Sequence, residues 1–263
     1  MAGAVSKDNP GTGMRGTALA VVVPVYEEGE NIEKVVRLIE GLVRVPHQLV
    51  IVYDHEDDNT LPVVTPLALE FPSIELMRNR HGNGAGVVNA IKTGFYETRS
   101  DYVCLFTGDC TDQPDAIVPM FSLASKGYDL VSGTRYRQGG RKQGGPWIQT
   151  KLSKWGNLVF RKLTGLPLSD PTYSFKLYSR RLLDSIEIEG QGGWAISFEL
   201  SIKAHLAGFR MAEVGTVWVD RQFGESKFRL ARWLPAYLKW FCWGVWRINL
   251  RRWRGTVSGV MEG

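Results

Sequence analysis

The chain has 263 residues in ordinary globular proportions, with 44% hydrophobic and 22% charged residues. These values exclude a disordered, collagen-like or coiled-coil chain, and the length accommodates one large α/β domain or two small ones. The 32 basic and 27 acidic residues give a formal charge of +5, which permits an anionic partner without requiring one. The three cysteines form no metal-ligand pair and no even disulfide set, so we expect a reduced, cytoplasmic environment.

Neither a targeting signal nor a membrane span is expected from the sequence. Residues 1–16 lack an apolar core and are expected to form a flexible tail rather than a secretory signal. The longest apolar candidate, from Trp233 to Leu250, is interrupted by Pro235, Lys239 and Arg247. A spanning helix needs about 18 or more residues that are predominantly apolar, so we expect none in this chain.

The first half of the chain alternates strand-like with helix-like segments. The run ALAVVVPV (18–25) is apolar and rich in valine, as in a strand buried on both faces. Further strands are predicted at 48–53, 74–77, 102–106 and 128–132. Apolar periodicity, or a proline suited to a first helical turn, predicts a helix after each of the first four strands. This alternation predicts a doubly wound, parallel α/β sheet with right-handed crossovers.

The second half of the chain is less regular. Glycines at 139, 140, 144 and 145 surround basic residues, which indicates either a mobile loop that closes over phosphates or a solvated surface loop. Apolar patterning then predicts elements in the order helix, strand, helix, strand, at 147–163, 173–178, 194–207 and 210–219. We therefore expect one domain with an appended C-terminal helix.

Acidic residues follow three of the predicted strands, in the segments 26–28, 54–58 and 108–112. Ligands of parallel sheets bind beyond the carboxyl ends of the strands, so these acids predict a metal ion or ribose hydroxyls there. Helix capping is the alternative for each acid taken singly. The glycines of 82–86 have the wrong position and spacing for a dinucleotide fingerprint, and no P-loop occurs, which argues against a nicotinamide enzyme and an NTPase.

Eight segments stand in an order that a known family shares. They are VVVPVYEEGENI (21–32), IVYDHEDDNT (51–60), NRHGNGAGVVNAIKTGF (79–95), TGDCTDQPD (107–115), SGTRY (132–136), DPTYSFKLYSR (170–180), FELSIKAHLAGFRMAEV (198–214) and DRQFGESKF (220–228). Together they resemble family 2 glycosyltransferases of the GT-A fold, and most closely the dolichyl- or polyprenyl-phosphate sugar synthases. The resemblance spans residues 18–228 and is specific because the segments keep the family's order.

The resemblance implies roles on the side of a nucleotide-sugar donor. Pro24, Tyr26 and Glu27 match the family's first nucleotide-binding stretch, and Asp54 matches the acid that recognises the nucleobase. Asp109 matches the second acid of the D-x-D motif, which binds a divalent metal, Mg²⁺ or Mn²⁺, on the donor diphosphate.

On the acceptor side, the resemblance implies a set of phosphate-binding residues. Arg135 matches an arginine placed near phosphate groups, and Arg221, Ser226 and Lys227 match groups that grip the acceptor phosphate. A lipid phosphate is already anionic near pH 7, so it needs positioning by Arg and Lys more than it needs a general base.

Two sites depart from the family pattern. Tyr53 stands where the site after the second strand usually has a first acid, and His55 stands where glycine is common. Thr107 replaces the first acid of D-x-D, and either Asp112 shares the metal in its place or a water takes that position. For a sugar hydroxyl acceptor, Asp112 or Glu199 would be the general base; a salt bridge is the alternative role of Glu199.

The segment 228–254 combines five tryptophans with many arginines. At about 100° per residue an arc of roughly 120° contains six of its basic residues, namely Arg229, Arg232, Lys239, Arg247, Arg251 and Arg254. An apolar face lies away from that arc, formed by Leu234, Leu238, Phe241, Val245 and Ile248. This arrangement is typical of a helix that lies in a membrane interface. The alternative is a helix packed on the catalytic domain or another subunit, and no nucleic-acid motif supports a third interpretation, stacking on RNA.

We therefore predict a flexible tail at 1–16, a GT-A domain at 17–227, a membrane-interface helix at 228–254 and a second tail at 255–263. The predicted function is metal-dependent, inverting transfer of a sugar from a nucleotide sugar to polyprenyl phosphate, by a protein bound peripherally to the cytosolic face of a membrane. GDP-mannose is the favoured donor, and a UDP-sugar stays open. The alternatives are a carbohydrate or other lipid acceptor, and a non-catalytic sugar-nucleotide-binding or scaffold protein.

Overall fold

The computed structural model describes residues 17–137, 139–220 and 230–261, without the side chains of 230, 231 and 254–261. The strands are β1 (Leu19–Pro24), β2 (His47–Tyr53), β3 (Ile74–Arg78), β4 (Tyr102–Leu105), β5 (Leu130–Thr134), β6 (Arg141–Gln143), β7 (Lys176–Ser179), β8 (Met211–Gly215) and β9 (Val217–Val219). The helices are α1 (Ile32–Leu42), α2 (Leu61–Glu70), α3 (Val87–Glu97), α4 (Ile117–Ser125), α5 (Trp147–Thr164), α6 (Arg180–Ser185), α7 (Ile196–Ala207) and α8 (Leu230–Met261).

Seven strands form one sheet in the order β3-β2-β1-β4-β7-β5-β8. All neighbouring strands are parallel except β7, which runs antiparallel to both β4 and β5. The expected fold class, a mostly parallel sheet flanked by helices, is thereby confirmed, and β7 is the antiparallel strand of this sheet. The chain leaves β5 at the carboxyl edge of the sheet and returns to that edge after α5, so β7 must run back across the sheet.

The strand predicted at 210–219 is divided at Thr216. β8 pairs with β5 in the main sheet, whereas β9 pairs with β6 in a separate two-stranded sheet. β6 itself lies inside the basic, glycine-rich segment, three residues of which therefore have regular structure. Asp112 forms an isolated bridge to Trp218 of β9, so this small sheet lies beside the carboxyl end of β4.

The strands of the main sheet are buried on both faces because helices cover each side. One face carries Val21 and Ile51 and packs against α1, α2 and α4; the other carries Val22 and Val50 and packs against α3, α7 and α8. Adjacent residues of a strand point to opposite faces, so the valine-rich run of β1 supplies both layers at once.

Helix α8 packs on the catalytic domain through one face and runs to Met261, beyond the expected boundary at 254. Trp240 and Ile248 are only 2% and 3% exposed, and the Phe241 ring lies 5.2 Å from that of Phe160 on α5. The expectation that Ile248 faces lipid is therefore wrong, because this stripe of α8 completes the protein core. Within the described ranges, the helices all fall short of the length and apolar character that crossing a bilayer demands.

Candidate active site

The loops after β1 and β2 are fastened together at the carboxyl edge of the sheet. Asp58, 1% exposed, accepts hydrogen bonds from the amide of Glu27, 3.1 Å from each carboxylate oxygen, and from the amide of Thr60 at 2.8 Å. Pro24 ends β1 just before this loop. Glu27 has a φ of 53°, a conformation that residues other than glycine adopt at a cost, and the buried carboxylate of Asp58 holds it there.

Asp54, the predicted nucleobase acid, lies just beyond the end of β2. Its carboxylate accepts hydrogen bonds from Asn79 Nδ2 at 2.8 Å and from the amide of Gly86 at 2.7 Å. These contacts orient the glycine-rich loop between β3 and α3. The rings of Tyr26 and His55 form an edge-to-face pair with centroids 5.7 Å apart. The structure thus brings Tyr26 and the residues that follow β2 together, as the sequence predicts for a donor site.

The Thr107-Gly108-Asp109 motif follows β4 at the centre of the same edge. Thr111 donates hydrogen bonds to Asp109 Oδ1, from its hydroxyl at 2.7 Å and from its amide at 3.2 Å. Cys110, between them, has a φ of 57°, so the turn is tight and left-handed at this point. The carboxylate of Asp109 remains partly exposed at the sheet edge, in a position to meet a ligand.

Asp112 is buried beside this motif, with 2% of its surface exposed. The Thr107 hydroxyl donates to its Oδ2 at 3.0 Å, and the Tyr173 hydroxyl donates to its Oδ1. Burial, together with the charge of Asp109, raises the pKa of Asp112 to about 7 against the lowering effect of the two hydrogen bonds. Metal binding by Asp112 stays a prediction.

Arg135 follows β5 and is held by a second buried carboxylate. Its Nε and Nη2 atoms donate to the two oxygens of Asp170 at 2.7 and 2.9 Å, and its guanidinium lies 4.3 Å from the centroid of the Tyr173 ring. Burial lowers the pKa of Arg135, but the charge and hydrogen bonds of Asp170 outweigh that effect and raise it above its ordinary value. Tyr173 therefore connects the arginine to Asp112 and thence to the D-x-D position.

Helix α5 supports the same pair from its buried side. Asn157 Nδ2 donates to Asp170 Oδ1 at 2.8 Å, and Arg135 Nη2 donates to Ser153 Oγ at 3.4 Å. Nearby, Lys176 of β7 is fully buried and donates to the carbonyl oxygens of Pro171 and Tyr173. Burial lowers the pKa of the Lys176 ammonium to about 7. These contacts fix the loop that carries Asp170 and Tyr173.

The structure does not bring Glu199 to this site. Its carboxylate, fully buried on α7, pairs with Lys203 Nζ at 2.8 Å and accepts the amides of Glu189 and Gly190 at 2.7 and 2.8 Å. A buried carboxylate with this set of partners is satisfied structurally. The prediction of an active-site wall is therefore corrected to the alternative, a salt bridge that ties the loop before α7 to the helix.

Three predicted acceptor residues, Arg221, Ser226 and Lys227, lie outside the described part of the chain. Sequence reasoning gave Asp58 only the collective role of the acids in 54–58, and it assigned no role to Asn79, Asp170 or Tyr173, although all four belong to the quoted segments. Asp170 is the single acid between Lys162 and Lys176, but this local pattern does not indicate which residue it pairs with. Its partner, Arg135, is 35 residues away in sequence.

The carboxylate of Asp109 fits a divalent metal, because Mg²⁺ and Mn²⁺ prefer oxygen ligands and commonly take several from phosphates and water. In the portion of the chain that is described, no three His, Cys, Asp or Glu side chains cluster as a ready-made metal cage. A metal at this edge would therefore draw most of its ligands from a bound diphosphate.

The mostly parallel sheet, flanked by helices and with acidic residues beyond its strand ends, defines a fold of the GT-A type. The family model described as Glycosyl transferase family 2 matches residues 20–187. This chain belongs to that family, and the sequence-based identification of it is confirmed.

Two relatives and the solved structures give finer comparisons. The chain is 29% identical over 255 residues to the polyprenol monophosphomannose synthase of Mycolicibacterium smegmatis. The aligned region covers 95% of this chain and 95% of that relative. The chain is 24% identical to the dolichol-phosphate mannosyltransferase of Pyrococcus furiosus, over 93% of this chain and 66% of that one. The chain thus spans about two-thirds of the length of the second relative.

Among solved structures, glucosyl-3-phosphoglycerate synthase from Mycobacterium tuberculosis is similar in fold. Its complex with Mn²⁺, UDP-glucose and phosphoglyceric acid gives a TM-score of 0.62 at 18% identity, over 88% of this chain and 80% of that chain. The complex with UDP gives 0.60 at 19% identity, with the same coverage. At this level of identity the likeness concerns the fold alone.

Proposed function

We propose that this glycosyltransferase moves a mannose unit from a nucleotide sugar, with GDP-mannose favoured over a UDP-sugar, to a polyprenyl phosphate. The observation that carries the proposal is the similarity to polyprenol monophosphomannose synthase along 95% of both chains. Asp54 and Asp109 on the donor side, and Arg135 on the acceptor side, support the proposal. The dolichol-phosphate mannosyltransferase similarity supports the same acceptor class.

The donor would lie along the edge formed by the ends of β1, β2 and β4. Asp54, oriented by Asn79 and by the amide of Gly86, is suited to accept hydrogen bonds from a nucleobase. Tyr26 and Glu27 would flank the nucleoside. Asp109 would hold Mg²⁺ or Mn²⁺, which supplies charge neutralisation to a nucleoside diphosphate as it departs.

The acceptor phosphate would enter beside Arg135. This guanidinium is oriented in advance by Asp170 and by the Tyr173 ring, so little conformational entropy is lost when it meets an anion. A phosphate oxygen of the acceptor forms the new bond to the anomeric carbon, and the bond from that carbon to the donor diphosphate breaks with its electron pair. No proton need be removed from the nucleophile, and direct displacement inverts the anomeric configuration.

The acceptor assignment agrees with the correction at Glu199. A sugar hydroxyl nucleophile would need a base at the site, but Glu199 is committed to Lys203 and backbone amides. Asp112 is the remaining candidate base, and its carboxylate already accepts two hydrogen bonds. A carbohydrate acceptor is therefore the weaker proposal, and a phosphate acceptor fits the described groups better.

A lipid acceptor also fits a protein bound peripherally to the cytosolic face of a membrane. α8 has a buried face against α5 and α7, while Leu238, Trp246 and Trp253 on its other side are 52–65% exposed. Arg232, Lys239 and Arg247 are exposed as well. We propose that this exposed part of α8 lies at the headgroup level, where the reactive phosphate of a polyprenyl lipid is found.

Purified protein should be tested with a panel of labelled nucleotide sugars, polyprenyl phosphate and Mg²⁺ or Mn²⁺. We expect organic-extractable, EDTA-sensitive product from GDP-mannose and little from UDP-sugars. If another single donor gives lipid product, the sugar assignment is wrong while the reaction class stands. If no donor gives lipid product although a nucleotide sugar binds, the polyprenyl phosphate acceptor is rejected.

The non-catalytic alternative depends on Thr107, and one substitution separates it from the proposal. Thr107→Asp restores the first acid of the motif next to the carboxylate of Asp112. If the natural chain turns over, a scaffold role is excluded whatever the variant does. A silent natural chain that gains turnover only as Thr107→Asp would instead support a binding protein that has lost its activity.

A further inference from the structure

Helix α5 carries an exposed apolar face that sequence reasoning did not single out. Seven of its large apolar side chains are 39–67% exposed: Trp147, Ile148, Leu152, Trp155, Leu158, Val159 and Leu163. At about 100° per residue these positions fall within one arc of roughly 160°. The buried residues Asn157, Phe160 and Thr164 lie on the opposite side of the helix. We call the exposed set the α5 face.

The charge of α5 has a single sign. Its 18 residues include four basic side chains and no acid, namely Lys151, Lys154, Arg161 and Lys162. Lys151 lies 5.0 Å from the centroid of the Trp147 ring, which places a cation directly beside the apolar surface. At the same 100° per residue, Lys151 and Lys162 lie within the arc of the α5 face, and Lys154 and Arg161 lie just outside it. An apolar, tryptophan-containing face that also carries cations complements an anionic lipid surface.

The α5 face continues onto α8. Asn249 of α8 donates from Nδ2 to the carbonyl oxygen of Leu163 at 3.2 Å, so the two helices touch at this point. Trp246 and Trp253 stand three residues before and four residues after Asn249 and are therefore on its side of α8. Both are more than half exposed. The exposed tryptophans of α8 thus border the α5 face.

The opposite side of α5 touches the site. Ser153 and Asn157 contact Arg135 and Asp170, the pair to which the proposed function gives the acceptor phosphate. A surface bound to the α5 face would therefore lie one helix diameter, about 10 Å, from that pair. A lipid phosphate would have to move by about 10 Å from the headgroup level to reach that pair.

We propose that α5 is a second membrane-docking helix and that an anionic bilayer surface is the occupant of the α5 face. The proposal rests on the proposed function for its link to the acceptor, but membrane docking itself can be measured without turnover. Docking through α5 and α8 together would set the orientation of the domain on the bilayer. Two helices in contact with the surface define a plane, whereas a single helix would leave the domain able to rotate about the helix axis.

The test uses the full chain and vesicles of phosphatidylcholine with or without phosphatidylglycerol. The variant Ile148→Glu with Trp155→Glu places two acids on the α5 face. The matched control is Leu69→Glu on α2, which alters an isolated apolar side chain that is 87% exposed. We expect the double variant to lower co-sedimentation with anionic vesicles by about tenfold or more, and the control to bind as the natural chain does.

Two further measurements keep the outcome decisive. Hydrogen exchange on the natural chain should show slower exchange of amides 147–164 when anionic vesicles are added, which requires no variant at all. Unchanged exchange in α5 while the chain sediments with vesicles would overturn the proposal. So would a lipid-free dimer that the double variant dissociates with no change in vesicle binding, since the occupant would then be a second copy of the chain.

Transfer to a short-chain, water-soluble polyprenyl phosphate distinguishes docking from chemistry. We expect the double variant to keep natural turnover with this acceptor and to lose turnover with acceptor embedded in vesicles. If the natural chain transfers nothing to the soluble acceptor, the proposed function fails, yet the vesicle and exchange measurements still decide the role of α5. Equal turnover of both proteins on vesicle-embedded acceptor would contradict docking through α5.

Discussion

Asp109 is the residue through which the donor diphosphate is expected to be held. Its carboxylate is partly exposed, whereas Asp112, three residues on, is buried and hydrogen-bonded to Tyr173 and Thr107. The two acids of one short segment therefore have different surroundings. Asp109 is partly open to solvent, and Asp112 links the turn to the loop that carries Tyr173.

Replacing Asp109 with asparagine should lower kcat by about a hundredfold or more, because a preorganised charge at the leaving group is lost. Steady-state transfer with varied Mn²⁺ would measure both turnover and apparent metal affinity. Asp115→Asn, which changes an exposed carboxylate in the same segment, is the matched control and should keep natural turnover. Natural metal dependence in Asp109→Asn would show that the metal is held elsewhere.

The buried ammonium of Lys176 should make stability depend on pH. Its pKa is lowered by burial from 10.5 to about 7, so between these values the unfolded chain binds one proton more than the folded chain. The free energy of unfolding must then rise with pH across this window, by at most about 1.4 kcal/mol per pH unit. Below about pH 7 both states are protonated, and this slope disappears.

Lys176→Met should remove that rise, which urea unfolding between about pH 7 and 9 can measure. The variant will also be less stable at every pH, because the carbonyl oxygens of Pro171 and Tyr173 lose a buried donor. Lys151→Met, at an exposed position of α5, is the control and should follow the natural pH profile. A natural slope in Lys176→Met would assign the pH dependence to another group.

At the scale of elements, the docking of α8 depends on a close approach at one glycine. A Cβ on Gly244 would lie 2.9 Å from Ile202 Cδ1 and 2.9 Å from Phe160 Cζ, so α7 and α5 leave no room for it. Gly156, in the middle of α5, has nothing within 4 Å of that position. The same substitution, glycine to alanine, can therefore be made at a tightly packed position of α8 and at an open position of α5.

Gly156→Ala should stabilise the protein by about 0.5–1 kcal/mol, because alanine loses less backbone entropy in a helix. Gly244→Ala should instead destabilise the protein by about 1 kcal/mol, because the cost of overpacking against the Phe160 ring exceeds the entropic gain from alanine. Urea unfolding of both variants against the natural chain would measure the difference. Equal stabilisation by the two alanines would mean that α8 does not pack closely on α5 and α7.

Because one face of α8 is part of the core, a truncation that removes α8 would change the stability of the domain as well as its membrane binding. Removal of α8 would expose the surfaces that Trp240 and Ile248 cover, so loss of vesicle binding in a truncated chain would not by itself identify the membrane helix. Substitutions at exposed positions avoid this problem, because they leave the packed face intact. Point variants at exposed positions are therefore a better test of membrane docking than deletion of α8.

For the whole molecule, the formal charge of +5 and the exposed basic residues of α5 and α8 should make membrane association dependent on salt. Raising ionic strength from about 0.05 to 0.5 M shortens the Debye length severalfold and should raise KM for vesicle-embedded acceptor. KM for the nucleotide sugar should change much less, because the donor contacts are at close range. Equal salt effects on both KM values would contradict electrostatic docking.

The outcome at Glu199 and Arg135 illustrates why sequence alone could assign family but not every role. Both are charged residues in quoted family segments, and the local sequence gives no reason to rank one above the other. The two residues differ in their interaction partners. Glu199 pairs with a lysine of its own helix, whereas Arg135 pairs with an acid 35 residues away and lies beside Tyr173. Long-range pairing of this kind has no local signature.

The amino-acid sequence by itself determined most of the strands and helices, the family and the gathering of acids at one sheet edge, because apolar periodicity and motif order are properties of short segments. Tertiary structure alone decided that β7 runs antiparallel, that Glu199 is a structural ion pair and that one face of α8 is core. It alone also decided that the apolar face of α5 is exposed. An amphipathic helix shows in its sequence that it has an apolar side, but only its neighbours determine whether that side meets protein or is left for another surface.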